Sequence, residues 1–107
     1  MKASDFFHKK PENYNCAQAI LKAWQDRLGV SGEEIEEFRR WGGGRAKDGV
    51  CGALFAANYL LEKQDKPLIT KEFTAQVGSA FCHDIKRVNK VSCNRCVDVA
   101  DEIMNYE

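Results

Sequence analysis

The sequence predicts an all-α helical bundle, a single domain of about five helices, and three observations point there. Apolar residues recur at three- and four-residue intervals in almost every segment. The two prolines, Pro11 and Pro67, fall where helices begin or are separated. No segment alternates convincingly as a strand, and there are no repeats or low-complexity tracts.

A short N-terminal helix is expected around Asp5 to Lys9, ahead of Pro11. Tyr14, Ala17, Ile20, Leu21, Trp24 and Leu28 then trace one apolar stripe, with Cys16 in the first turns of that helix and Gly29 at its end. Ser31 followed by Glu34 makes a capping box for a helix carrying Ile35, Phe38 and Trp41. After a glycine-rich loop, residues 51–64 read as a buried helix through Leu54, Phe55, Tyr59 and Leu61, ended by Lys66 and Pro67. Thr70 is placed to cap a helix through Phe73, Val77, Ala80, Phe81 and Ile85, with Cys82 near its far end. Ser92 caps the last helix, whose connected face carries Cys93, Cys96, Val97, Ala100, Ile103 and Met104.

Composition bounds the function. The chain has 107 residues, 44% of them hydrophobic and 30% charged, as expected for one globular domain. A chain of this size buries roughly 65% of its unfolded surface, so it can fold alone yet gains from a metal or a partner. Sixteen basic and sixteen acidic residues cancel, which leaves no electrostatic footprint for nucleic acid or an anionic membrane. The longest apolar stretch, Val50 to Leu61, contains Gly52 and Asn58 and is too short to cross a bilayer.

Five cysteines, Cys16, Cys51, Cys82, Cys93 and Cys96, are the most informative residues. An odd number cannot all pair within one chain, and Met1 to Asp5 do not resemble a secretory signal. A secreted disulfide scaffold is therefore disfavoured and a cytoplasmic location expected, where cysteines more often bind metal or do redox chemistry. Cys93 and Cys96 stand one turn apart at a helix start, where unpaired N–H groups favour thiolates. That spacing suits zinc, an iron–sulfur cluster or dithiol exchange, and two packed core cysteines explain the pair equally well on its own. The βαβ context of a thioredoxin site is missing, and Val97 stands where c-type haem attachment needs histidine.

From Gly42 to Gly52 the chain has five glycines, which let it approach another helix or an inorganic cluster closely. The loop lacks the Gly-Lys-Ser/Thr of a phosphate-binding loop and the preceding strand of a dinucleotide fingerprint. Asp48 or Gly49 is placed to cap the next helix, which puts Cys51 in its first turn.

With these segments in hand, the chain resembles the small bacterial and archaeal redox-active family named for its C_GCAxxG_C_C cysteine pattern. Asn15-Cys16-Ala17-Gln18-Ala19 is similar to the first cysteine segment. Gly42-Gly43-Gly44-Arg45-Ala46 through Gly49-Val50-Cys51-Gly52-Ala53 is similar to the central signature. Phe81-Cys82-His83-Asp84-Ile85 resembles the third segment and Cys93-Asn94-Arg95-Cys96-Val97 the fourth, with Cys93 at the family position and Cys96 an addition. Ala56 replaces the final glycine of the central motif. The resemblance spans nearly the whole chain and implies one domain over residues 1–107 and redox activity.

Cys16, Cys51, Cys82 and Cys93 come from four different predicted helices, and their convergence would make one site. Four thiolates suit an iron–sulfur cluster or a tetrahedral zinc. The family association favours an iron–sulfur site for electron transfer, with Cys16, Cys51, Cys82 and Cys93 as metal ligands and Cys96 as alternate ligand or neighbouring thiol. A structural zinc module and a metal-free thiol–disulfide protein, cycling through Cys93 and Cys96 or Cys51, are the alternatives. A helical interaction module whose cysteines merely pack ranks last. The partner expected is a redox protein; Phe6, Phe7 and Met104 near the ends of the bundle are placed either to bury against a second copy of the chain or to close the monomer's own core.

The remaining candidates have plain structural readings. His83 beside Cys82 more often meets solvent or caps a helix end than ligates, and His8 beside Lys9 and Lys10 reads as surface. Trp24, Trp41, Phe55 and Tyr59 at helical spacing read as core. Glu33, Glu34, Glu36 and Glu37 read as a solvated face suited to the helix N-terminus. No Ser-His-Asp order or carboxylate pair gives hydrolysis a site.

Overall fold

The structure, a computed structural model, describes residues 2–42, 46 and 49–106. Gly43, Gly44 and Arg45 of the glycine-rich loop, and Asp48 as a possible cap, lie outside the described residues.

The expected all-α architecture is observed. Helix α1 spans Cys16–Ala23, α2 Gln25–Leu28, α3 Gly32–Glu37, α4 Gly52–Lys63, α5 Thr70–Val77 and α6 Cys93–Tyr106. Among the described residues, extended pairing is limited to two isolated bridges, Phe7 with Tyr14 and Val50 with Phe81. Helix α1 packs chiefly on α4, and both pack on α6. Ile20, Leu21, Leu54, Leu60, Leu61, Phe73, Ile85 and Val97 fill the space between them and are fully buried. Each such side chain contributes about 1.5–3 kcal/mol of transfer free energy. No helix among the described residues is long and apolar enough to cross a membrane.

Several boundaries differ from expectation, each for a local reason. The first helix is a 3-10 turn over Ala3–Asp5. The chain then reverses, with His8 and Asn13 at positive φ, and the His8 N–H is taken by the Tyr14 carbonyl at 2.8 Å. The stripe from Tyr14 to Leu28 is split at Trp24 between α1 and α2. Trp24 is held there by its indole Nε1, which donates to the buried Asp101 carboxylate at 2.8 Å. The other Asp101 oxygen accepts the Ala3 N–H at 2.9 Å, so this buried charge is hydrogen-bonded on both sides. Gly29 ends α2 at φ +65°, as the sequence suggested.

Ser31 and Glu34 form the expected capping box, with Oγ accepting the Glu34 N–H at 3.0 Å. Phe38–Trp41 then tighten into a 3-10 turn. Phe38, Trp41, Phe55 and Tyr59 meet as tilted ring pairs with centroids 4.8–5.8 Å apart; Phe38 is buried in the core, and the other three, expected as core, are partly buried against it. Glu34 also pairs with the Lys63 ammonium at 2.9 Å, and Glu36 with the Arg39 guanidinium at 2.7 Å.

Three corrections follow, two of them at cysteines. Cys51 is itself the N-cap residue of α4, not a residue of its first turn. Thr70 does not cap α5; it is its first residue, and its hydroxyl accepts from Asn58 Nδ2 at 2.9 Å. Helix α5 stops at Val77 because Gly78 adopts φ +89°, so Cys82 lies outside it. Cys82 instead opens a separate helical run that becomes a π-helix over Asp84–Val88. Ser92 caps α6 as expected, its Oγ accepting the Arg95 N–H at 3.1 Å.

Candidate functional site

Cys16 is the first residue of α1, and its position is set by Asn15. The Asn15 side chain accepts the Gln18 N–H at 2.8 Å, capping α1. Its Nδ2 donates to the carbonyls of Phe38 at 3.2 Å and Arg39 at 2.9 Å, which ties the cap to the 3-10 turn. Buried Gln18 reaches the Ile35 carbonyl at 2.9 Å, a second tie in the same direction.

The glycines of the central signature fit against this same pair of residues. A Cβ on Gly42 would stand 2.6 Å from Asn15 Cγ. A Cβ on Gly52 would stand 2.6 Å from Cys16 Sγ and 2.9 Å from the Trp41 carbonyl oxygen. Close approach, the role expected of these glycines, is therefore what Gly42 and Gly52 provide, and both provide it to the Asn15–Cys16 corner. Ala56, in place of the signature's last glycine, is fully buried within α4.

Cys51 is positioned from the other side: its N–H donates to the Ala80 carbonyl at 2.8 Å, beside the Val50–Phe81 bridge. That bond places the start of α4 against the residues leading into Cys82. The Ile85 N–H returns to the Phe81 carbonyl at 3.0 Å and the Val91 N–H to the Ile85 carbonyl at 2.9 Å, which folds the Cys82 run back toward Ser92 and α6. Cys93 and Cys96 then enter from the first turn of α6.

All five cysteines line one small cavity of about 10 Å³, together with Ile85 and Lys86. Cys16, Cys51, Cys82 and Cys96 are buried, Cys93 is half-buried, and none is in a disulfide. The cysteine-bearing segments each present their sulfur where a helical run begins. Such starts leave backbone N–H groups unpaired and favour negative charge.

Electrostatics within the cavity run in opposing directions. The Cys51 thiol is pushed well above its ordinary range, first by its hydrogen bond with Cys96, then by burial. The amides of Ala53 and Leu54 oppose this without forming a capping hydrogen bond. Burial also raises the Cys82 thiol, aided by Cys51, Cys93 and Cys16 and opposed by Lys86. Lys86 is held more firmly protonated, chiefly by its hydrogen bond to Cys93. Lys86 is the residue that sequence reasoning missed. Its signal was its place one helical turn after Cys82, the spacing at which side chains share a face.

His83 is exposed, lies 3.8 Å from Asp84 and does not line the cavity. His8 is exposed, as expected, but borders a larger cleft next to the sulfur site. Met104 is buried in the chain's own core, and Phe6 and Phe7 pack partly against it.

The donor set matches a soft metal or cluster in kind, since thiolate sulfur is their preferred ligand. It does not match in spacing. Among the described residues, no group of three or more histidine, cysteine or carboxylate side chains is arranged to hold a metal ion. A cavity of about 10 Å³ is about one water's worth of room.

An all-α bundle that gathers five thiols and one lysine at converging helix starts belongs to the class of cysteine-motif proteins. A family model described as "Putative redox-active protein (C_GCAxxG_C_C)" matches residues 14–106, and the chain belongs to that family. No curated protein and no solved structure matches the chain.

Proposed function

We propose that this redox-active chain is an electron-transfer protein and that its five-sulfur pocket holds an iron–sulfur cluster. One observation carries the reading: five cysteines from four separate segments meet in one cavity. Dithiol exchange needs only two sulfurs, whereas a cluster takes four ligands, and ligands from several segments are one way to supply them. The raised thiols of Cys51 and Cys82 support it further. A thiol held protonated is a poor nucleophile, but a metal displaces its proton and supplies the compensating charge. Lys86 and the helix starts add positive potential around a set of ligands that would carry negative charge. The sulfurs as packed must part to admit such a group, so loading is expected to expand the pocket. Five reduced cysteines also suit a reducing, cytoplasmic setting.

A metal-free thiol–disulfide protein is the second reading, favoured by the hydrogen-bonded Cys51–Cys96 pair. Protein purified without oxygen, assayed for iron, zinc and acid-labile sulfide per chain and by visible spectrum, separates the two. Iron with matching sulfide supports the cluster, and its loss in Cys51→Ser places it. Zinc alone recasts the site as structural. Neither metal in fresh anaerobic protein sinks the cluster reading and leaves thiol exchange.

A further inference from the structure

Beside the sulfur pocket lies a cleft of about 330 Å³, within the size range of small-molecule sites. It shares Cys16, Lys86 and Cys93 with the sulfur pocket and adds Phe7, His8, Asn15 and Gly42. Three features of this cleft define what it can take. It opens on Cys93, the one cysteine of the five that is not buried. The exposed ammonium of Lys86 stands at that sulfur, and among the described residues no Asp or Glu lines the cleft. The rings of Phe7 and His8 stack with centroids 3.9 Å apart and add apolar surface to the wall. A sulfur in reach, a cation beside it and, among the described residues, no opposing carboxylate suit a small ligand that carries both negative charge and an electrophilic sulfur.

We propose that this cleft binds a small carboxylate-bearing disulfide and that Cys93 is the residue it modifies. The Cys93 sulfur attacks one sulfur of the bound disulfide. The bond between Cys93 and that sulfur forms as the ligand's own S–S bond breaks. The other half leaves as a thiolate and takes up a proton, equivalent to the one Cys93 gives up, so one thiol and one disulfide become a mixed disulfide and a new thiol. Lys86 binds the ligand's carboxylate and orients it, which makes Lys86 a positioning residue. The inference names a reactant for the sulfur site of the metal-free chain; in a chain that holds a cluster it requires Cys96 in place of Cys93 as the fourth ligand, since five sulfurs exceed the four that a cluster takes.

The test uses the reduced full chain, stripped of metal, with less than one equivalent of dithiodipropionate or, separately, of the cationic disulfide cystamine. Rates are normalised to those of a small free thiol, and the adduct is located by peptide mass spectrometry. The first adduct is expected on Cys93, with dithiodipropionate favoured by about fivefold, the range of an exposed charge pair. Added salt should shrink that preference, and Lys86→Gln should erase it while Cys93 stays reactive. A first adduct on another cysteine, equal normalised rates, or a preference that survives Lys86→Gln overturns the proposal. If the variant fails to fold, the unaltered chain decides the matter: a preference that added salt leaves unchanged overturns the proposal equally. Metal and sulfide content, measured before stripping, reports on the cluster reading independently.

Discussion

Replacing Gly52 by alanine tests whether the central signature exists to let α4 approach Cys16. The added Cβ would stand 2.6 Å from Cys16 Sγ, 2.9 Å from the Trp41 carbonyl oxygen and 3.3 Å from Gly42 Cα. Two of these neighbours are backbone, and the third is a short side chain that is 4% exposed, so none can retreat freely. Overpacking of this kind costs about 1–3 kcal/mol. Alanine returns at most ~1 kcal/mol through helix propensity, and less at a first helical position. The net expectation is a loss of about 1–2 kcal/mol, or roughly 5–15 °C in Tm for a domain of this size. Gly32 is the matched control: it is also the first residue of a helix, and nothing lies within 4 Å of a Cβ built there. Gly32→Ala should be neutral or stabilising by up to ~1 kcal/mol, because it only restricts the unfolded chain. Urea unfolding of the metal-free reduced protein, read as a shift in midpoint at constant slope, measures both. Adding Cys16→Ala to Gly52→Ala should recover part of the loss, since it removes the nearest contact. A Gly52→Ala protein as stable as the original, or a Gly32→Ala protein equally weakened, would refute the reasoning.

Two further outcomes follow from buried and paired charge. Asp101→Ala strands the Trp24 indole N–H and the Ala3 amide that the carboxylate now accepts, at 2.8 and 2.9 Å. Losing charged hydrogen bonds of this kind should cost about 3 kcal/mol or more in urea unfolding, and Trp24 emission should change with it. Glu34 is held at a pKa of about 2, against an ordinary 4.5, by Lys63, Tyr59 and the Ser31 amide. A carboxylate depressed in the folded state stabilises above its unfolded pKa, and that contribution fades as pH falls from 4.5 toward 2. With Lys63 47% exposed, solvent screening leaves about 1 kcal/mol of it. Glu34→Gln should therefore lower stability at pH 7 and flatten the acid limb of the stability profile; an unchanged limb refutes the assignment.

The fold was legible where local signals and tertiary contacts agree. Ser31 with Glu34, Gly29 at φ +65° and Ser92 before α6 all act as their residue types predict. So was the convergence of the cysteines, although it came from a family pattern and from their helical spread, not from any contact visible in sequence. What stayed hidden depends on long-range bonds. Cap preferences pointed to Asp48 or Gly49, but the Cys51 N–H is taken by Ala80, some thirty residues on, which makes Cys51 the cap. Lys86 was passed over because its value depends on Cys93 arriving from another helix.

The misplacement of Cys82 carries the most physical content. Val77, Ala80, Phe81 and Ile85 continue a helical apolar spacing, and following it across Gly78 puts Cys82 at the end of one long helix. Gly78 at φ +89° interrupts that helix, and the Phe81 carbonyl then accepts from Ile85 to begin another. The difference reverses the electrostatic setting of the sulfur. At a helix end Cys82 would face unpaired carbonyls, which repel a thiolate. At a helix start it faces unpaired N–H groups, with Lys86 one turn along the same run opposing the rise in its pKa. Cys16, Cys51 and Cys93 occupy the corresponding place at the starts of α1, α4 and α6. The proposed cluster ligation calls for negative charge on sulfur at such starts, and Gly78 is the residue that ends α5 so that Cys82 opens a run of its own.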